Sequence, residues 1–241
     1  MTDKVRILLL SASPWGMSRI LVDAEAREIF ERIHEGVYRD RFELYNHTAV
    51  RPGDLQHLLL MHQPHIVHFS GHGSKNQKII LGGPHGGAKA LDQQGLTDVF
   101  ALYNNHVRLV LLNACLTKAQ ARSISEVVDY SIGTARPIGD KASVAFAGAF
   151  YRALGFGKSI RDAFKLATAE LALTKIPRSR GIELFVRNGI NERDRFPQID
   201  ADRNSFAIRK ISAAGAIRSS DDITPDLVNL CRVTAAPLHC E

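Results

Sequence analysis

The chain has few cysteines and lacks any long hydrophobic run. Only three cysteines occur in 241 residues, and two of them lie in the last eleven positions, which excludes a disulfide framework. No apolar stretch approaches the roughly 20 residues that a membrane-spanning helix needs. The short run at residues 7–10 leads directly into Ser-Ala-Ser-Pro and therefore predicts a strand rather than a signal peptide. We expect a cytoplasmic protein with no membrane partner.

A metal site is also not expected. Cys231, His239 and Cys240 are residue types that bind metals, but they lack a fourth ligand and the paired spacing of zinc sites. We interpret them as ordinary residues of a C-terminal extension. The glycine-rich run at residues 82–87 lacks the Lys-Ser/Thr pair that completes a phosphate-binding loop. The sequence therefore predicts no metal and no cofactor.

Basic residues exceed acidic ones, but they form no basic run interleaved with aromatic residues. The net charge is +6, and residues 187–241 hold eight Lys/Arg and eight Asp/Glu, so the whole excess lies in residues 1–186. There the Lys and Arg residues are scattered among acidic residues, which is typical of a solvated surface. Direct binding to nucleic acid is therefore not expected.

Strand and helix patterns alternate along most of the chain, and 45% of the residues are apolar. Apolar runs predict six strands, at residues 5–11, 42–47, 66–70, 107–113, 130–134 and 182–186. Spacings of three and four predict helices at residues 18–37, 54–62, 92–104, 118–127, 140–153 and 159–173. This order predicts an α/β fold with a mostly parallel six-stranded sheet and helices on both faces. Because the pattern fades near residue 188, we expect a domain at 1–188 and an extension at 189–241.

Two of the predicted strands end in a reactive side chain. The run HIVHFSGHG occupies residues 65–73, and the run LVLLNAC occupies residues 109–115. The carboxyl ends of parallel strands meet at the edge where open α/β sheets build their sites. His72 and Cys115 are therefore candidates for a thiol–imidazole pair. His68 lies inside its strand and is expected to have a core or supporting role.

The neighbours of this pair suit cysteine catalysis. A cysteine attacks as a thiolate, and His72 can take up or supply the proton. The absence of a Cβ at Gly73 lets its backbone approach a substrate. Its N–H group and that of Cys115 are candidates for an oxyanion hole. The simpler alternative is a buried inert cysteine and a histidine that only ends a strand.

These motifs resemble the CHAT family, caspase-like cysteine peptidases of bacteria. The resemblance rests on HFSGHG at residues 68–73 and LLNAC at residues 111–115, and it extends to IGDKA at 138–142 and AFYRALG at 149–155. It implies a caspase-like three-layer sandwich and a protein substrate. It also implies that His72 is the general acid/base, that Cys115 is the nucleophile and that Gly73 supplies an oxyanion-hole amide. Bacterial defence or programmed death is the context that the family suggests.

The resemblance also identifies candidate substrate-binding residues. In caspases and metacaspases the residue two positions before the nucleophile lines the pocket for P1, the residue that precedes the cleaved bond. That position is Asn113 here, which is neutral and indicates no charged preference. Asp140 is the nearest acidic candidate and would select a basic P1 residue. Its alternative role is to cap the helix that follows it.

Two other functions and two control segments stay open at this stage. The alternatives are a non-catalytic caspase-like binding scaffold and a different thiol hydrolase such as an amidase. A protein partner or sensor is expected to activate the peptidase. The basic loop at residues 175–181 is a candidate for cleavage. The extension at 189–241 is a candidate for a strap over the cleft or a docking segment.

Overall fold

Strands and helices alternate along the residues that the structure describes. This computed structural model describes residues 4–15, 17, 21–176 and 180–190. The strands are β1 (Val5–Ala12), β2 (Phe42–His47), β3 (Ile66–Gly73), β4 (Ile79–Gly82), β5 (Ala88–Ala90), β6 (Leu109–Asn113), β7 (Tyr130–Thr134) and β8 (Ile182–Val186). The helices are α1 (Val22–His34), α2 (Asp54–His62), α3 (Gln93–Leu102), α4 (Lys118–Ile124), α5 (Asp140–Gly155) and α6 (Ile160–Leu173).

The sheet is mostly parallel, as the alternation predicts. Its main strand order is β2-β1-β3-β6-β7-β8, and β4 and β5 form a hairpin that pairs with the end of β3. The first five strands of this order are parallel to their neighbours. At the other end of this order, β8 runs antiparallel to β7, and the β4–β5 hairpin is also paired in antiparallel fashion. The two helices α5 and α6 connect β7 to β8. A single crossover helix would bring the chain back to the end where β7 begins, whereas two helices return it to the end where β7 stops, so β8 runs in the opposite direction.

The apolar strands face two cores. In β1, Ile7 and Leu9 belong to the core beneath α1, α5 and α6, whereas Leu8 and Leu10 belong to the core beneath α2, α3 and α4. Successive side chains of a strand point to opposite faces, so an unbroken apolar run fills both cores. The predicted three-layer arrangement is therefore confirmed.

Several helix boundaries differ in detail from the prediction. Ser159 caps α6 by accepting a hydrogen bond from the Asp162 N–H, as its residue type predicts. Asp140 is the first residue of α5 rather than its cap; Gly139 takes the cap position, and no side chain caps this end. The predicted start of α1 near residue 18 lies outside the described residues. The Asp140 carboxylate still stabilises this end of α5, because a negative charge interacts favourably with the positive end of the helix dipole.

Other predictions also fall outside the described residues. These are Cys231, His239 and Cys240, residues 177–179 of the basic loop, and the extension from residue 191 onward. In the part of the chain that the structure describes, no helix combines the length and apolarity needed to cross a membrane.

Two histidines meet beside β2 and α2. The Nε2 atoms of His47 and His62 lie 2.9 Å apart, and the His62 ring stacks on Tyr45 with centroids 4.2 Å apart. One neutral ring can donate its N–H to the other, whereas two protonated rings repel each other. Partial burial, followed by the charges of His47 and His57, lowers the pKa of His62 below its usual 6.5.

We expect this pair to make the folded chain less stable in mild acid. The pKa of His62 is lower in the folded chain than in the unfolded one, so the unfolded chain binds more protons in the window between the two values. The stabilisation is therefore complete above about pH 6.5 and is lost as the pH falls. Urea unfolding at about pH 7.5 and about pH 5.5 should show a smaller pH effect for His62→Gln than for wild type or for the exposed control His34→Gln. An unchanged pH effect in His62→Gln would contradict this assignment.

Candidate active site

The pairing of β3 with β6 brings the two reactive residues to one edge of the sheet. These strands are parallel, and their pairing ends with Ser70 opposite Asn113. His72 and Cys115 each follow two residues later. One pocket of about 160 Å³ at this edge is lined by all five residues that the sequence singled out: His72, Gly73, Asn113, Cys115 and Asp140.

The β4–β5 hairpin holds the end of β3 in place. The antiparallel pairing places His72 opposite Ile80 and Gly73 opposite Ile79. The Ile79 N–H in turn donates to Oε1 of the buried Gln120 at 2.7 Å. Gln120 lies on α4, the helix that follows the cysteine loop. The Gln120 side chain thus links β4, the strand paired with the end of β3, to the helix next to Cys115.

The backbone at Gly73 touches the backbone of Cys115. A Cβ at position 73 would lie 1.6 Å from the Cys115 carbonyl oxygen and 2.6 Å from its carbonyl carbon. No side chain fits there without a backbone shift, so glycine is required by this close approach. By comparison, a Cβ at Gly71 would meet its nearest atom, the Ala12 oxygen, at 3.3 Å.

Buried hydroxyl groups hold the cysteine loop. The Ala114 carbonyl accepts hydrogen bonds from the hydroxyls of Thr134 at 2.6 Å and Thr117 at 3.1 Å. The Thr134 N–H donates to the Thr117 hydroxyl at 3.1 Å. Leu116 adopts a left-handed conformation with φ of 57°, which turns the chain sharply between Cys115 and α4.

The Cys115 side chain is a free, half-buried thiol. It donates to the Ile138 carbonyl across 3.5 Å. Ile138 belongs to the loop between β7 and α5, and Asp140 is the first residue of that helix. A carbonyl oxygen can only accept a hydrogen bond, so the thiol is the donor in this contact.

The two candidate substrate-binding residues occupy different depths. Asn113 is buried, and its amide donates to the Glu25 carboxylate and, at 3.3 Å, to the Ser143 carbonyl. Asp140 lies exposed at the start of α5. The pocket therefore has a neutral amide in its interior and a solvated carboxylate at its rim.

A buried carboxylate that the sequence predictions did not include also lines this pocket. Glu25, on α1, is 4% exposed. Besides the Asn113 amide, it accepts a hydrogen bond from the Ser70 hydroxyl at 2.5 Å. His68 Nε2 lies 2.9 Å from the same carboxylate, and Nδ1 of that ring lies 3.1 Å from the Tyr151 hydroxyl. The network joins α1, β3, β6 and α5.

Residues 13–180 match the CHAT domain family. The chain belongs to the CHAT domain family. The matched range includes both strand ends and the whole pocket. Among the described residues, no group of three or more His, Cys, Asp and Glu side chains is placed to hold a metal ion.

Two curated relatives of this CHAT domain chain are named as proteases. One, a "Roc-COR-CHAT protease" from an unknown prokaryotic organism, is 28% identical over 184 residues that make up 73% of this chain. The other, a "Probable protease" from Gillisia limnaea, is 21% identical over 158 residues, or 64% of this chain. The chain spans 17% and 28% of the lengths of these two relatives.

Two solved structures share the fold. A secreted C11 cysteine protease from Bacteroides thetaiotaomicron, bound to an irreversible peptide inhibitor, matches with a TM-score of 0.53 and 13% identity, covering 76% of this chain and 66% of that one. The Arg-specific cysteine proteinase gingipain R matches with a TM-score of 0.55 and 8% identity, covering 76% and 46%. The CHAT domain thus has the caspase-like fold that the motifs imply.

The sequence contained a signal for Glu25. This residue lies four and eight positions before Ile29 and Ile33, the buried apolar residues of α1. Residues at that spacing share one face of a helix. An acidic residue on the buried stripe of a helix is rarely left without polar partners. The spacing of apolar residues alone does not reveal Glu25, because an acidic residue is not part of the apolar pattern that defines the buried face.

Proposed function

We propose that this CHAT domain chain is a cysteine endopeptidase with Cys115 as nucleophile and His72 as general acid/base. The observation that carries the proposal is that both residues lie two positions beyond the last paired residues of β3 and β6, Ser70 and Asn113, and line one pocket. The names of the two curated relatives support protease chemistry. A thiol and an imidazole that share a pocket are the minimum set for nucleophilic catalysis by cysteine.

In the proposed reaction, His72 takes the proton of the Cys115 thiol, and the sulfur attacks the carbonyl carbon of the peptide bond. A tetrahedral oxyanion forms, and its collapse breaks the C–N bond. His72 donates the proton to the leaving amine, which leaves a thioester on Cys115. His72 then removes a proton from water, and the hydroxide attacks the thioester carbonyl and breaks the C–S bond. His72 returns that proton to the sulfur, and the carboxylic acid product leaves and ionises in water.

The N–H groups of Gly73 and Cys115 are the proposed donors to the oxyanion. The close approach of these two backbones supports this role, because it brings the two residues together at one end of the pocket. Donors held in place before the reaction stabilise the developing charge without reorganisation. Asn113 and Asp140 are the proposed contacts for the P1 side chain.

Digestion of a peptide library tests this function. The purified chain should produce new peptide termini, detected by mass spectrometry, and Cys115→Ala should produce none. Release of ammonia without new termini would indicate an amidase instead. If neither product forms from the full chain or from a chain ending at Asn188, while Cys115 remains open to alkylation, the chain is a non-catalytic scaffold.

We further propose that the activity is restrained until a partner or a cleavage event releases it, as in a bacterial defence or programmed-death pathway. The candidate segments are the basic loop at 175–181 and the charge-balanced extension at 189–241. A chain ending at Asn188 should hydrolyse peptides roughly tenfold faster or more than the full chain, because a mostly occluded site gains activity in proportion to its open fraction. Steady-state rates of the two chains, purified without partners, provide the test. Equal, high rates would contradict restraint by the extension.

A further inference from the structure

The pocket contains a charged group that the proposed reaction does not use. Glu25 is 4% exposed, and its carboxyl group lines the same pocket as Cys115. Removing a carboxylate from water is costly unless hydrogen bonds and an opposite charge replace the lost hydration. The hydrogen-bond partners of Glu25 therefore show which donors and which opposite charge its carboxyl group still lacks.

Three hydrogen-bond donors surround the carboxylate. His68 Nε2 and the Asn113 amide both reach Oε1, and the Ser70 hydroxyl reaches Oε2. A carboxylate offers about four lone-pair positions, two on each oxygen. Oε1 is therefore saturated, whereas Oε2 retains one position for another donor.

The neighbouring tyrosine determines which nitrogen of His68 faces Glu25 as a donor. Tyr151 is fully buried, and burial together with the charge of Glu25 raises the pKa of its hydroxyl well above 10.0. The hydroxyl therefore keeps its proton, and among the described residues its one hydrogen-bond partner is His68 Nδ1. When that proton is donated to Nδ1, the other ring nitrogen, Nε2, donates to Glu25. This assignment gives every group in the network a hydrogen-bond partner.

Glu25 lacks a lysine or arginine partner in the described part of the chain. Among the described residues, the one ionisable side chain that contacts its carboxyl group is His68, at 2.9 Å. Asp140 at the rim adds a second negative charge to the same pocket. A cationic side chain that entered the pocket would fill the open position on Oε2 and neutralise a buried charge.

We propose that Glu25 is a specificity-determining residue that selects peptides with arginine or lysine at P1. The inference rests on the proposed function, and it assigns the main charge recognition to Glu25 rather than to Asp140. A buried carboxylate is poorly screened by water and salt, whereas an exposed one contributes little. The Asn113 amide, fixed between Glu25 and the Ser143 carbonyl, positions the carboxylate for this contact.

Two irreversible probes test the inference on the full wild-type chain. They are peptidyl acyloxymethyl ketones that differ only at P1, which is arginine in one and its uncharged isostere citrulline in the other. Intact-mass spectrometry follows their addition to Cys115. We expect the arginine probe to react on the order of 10- to 100-fold faster, because it alone forms a buried charge pair. Equal rates for the two probes would overturn the inference and leave the proposed peptidase function intact.

Variants then locate the charge. Glu25→Gln should remove most of the preference for arginine over citrulline, whereas Glu31→Gln, an exposed carboxylate on the same helix that pairs with Arg27, should retain it. Asp140→Asn should reduce the preference only slightly. A larger loss in Asp140→Asn than in Glu25→Gln would overturn the assignment. If neither probe reacts while iodoacetamide alkylates Cys115, the proposed peptidase function fails, and the inference fails with it.

Discussion

Cys115→Ala is expected to lower kcat/KM for peptide hydrolysis by about 10⁴-fold or more. The substitution removes the proposed nucleophile, and no other cysteine lies in the described part of the chain. The fold should be retained, since an alanine side chain is smaller than the thiol and the loop is held by Thr117 and Thr134. Circular dichroism checks the fold, and initial rates on one fluorogenic peptide measure the loss. Turnover near the wild-type rate would show that Cys115 is not the nucleophile.

His72→Ala should lose nearly as much activity, and His68→Ala is its matched comparison. His68 lies on the same strand, but it is bonded to Glu25 and Tyr151 in the core. Its removal leaves the buried Tyr151 hydroxyl without its partner and takes one of three hydrogen bonds from the buried Glu25. The free energy of unfolding should fall by roughly 2 to 4 kcal/mol. Its effect on turnover should be much smaller. An equal loss of turnover in a well-folded His68→Ala variant would identify His68 as the base.

Gly73→Ala is expected to reduce kcat by about 100-fold or more although it adds only a methyl group. The new Cβ would lie 1.6 Å from the Cys115 carbonyl oxygen. The backbone of Cys115 or of β3 must therefore move by about an ångström. A displacement of that size misaligns a reacting group and costs about two orders of magnitude in rate. Cys115 should still react with iodoacetamide, which needs no alignment with an oxyanion hole.

Gly71→Ala is the matched control for this substitution. Gly71 and Gly73 flank His72 on the same strand, but a Cβ at position 71 meets its nearest neighbours at 3.3 and 3.4 Å. We expect Gly71→Ala to retain most of the activity. Similar rates for the two variants, or a Gly73→Ala rate within tenfold of wild type, would exclude the close approach as a requirement for catalysis.

The sequence predicted the layers of the fold because apolar runs report burial directly. The strands at 42–47, 130–134 and 182–186 match β2, β7 and β8 in their bounds. The antiparallel direction of β8 was not predicted, because side-chain alternation is the same in both directions. Direction follows from the two consecutive helices before β8, a feature of the connection rather than of the strand.

The pocket could be predicted only in part, for a similar reason. His72 and Cys115 were found because each ends an apolar run, and strand ends in a parallel sheet share one edge. Glu25 comes from a helix that is distant in sequence, and its contacts with Ser70 and Asn113 depend on how α1 packs across the sheet. Periodicity locates the buried face of α1 but does not specify which strand residues that face meets.

The most direct test of the proposed mechanism is to trap the acyl-enzyme. The full chain is mixed with a peptide ester, quenched in acid within the first turnovers, and mapped by tandem mass spectrometry. The account predicts an acyl group on the Cys115 sulfur in the wild-type chain, no adduct in Cys115→Ala, and greatly slowed formation in His72→Ala. An acyl group on any other residue would contradict the assignment of Cys115 as the nucleophile. An acyl-enzyme that forms in His72→Ala at the wild-type rate would contradict the assignment of His72 as its catalytic partner.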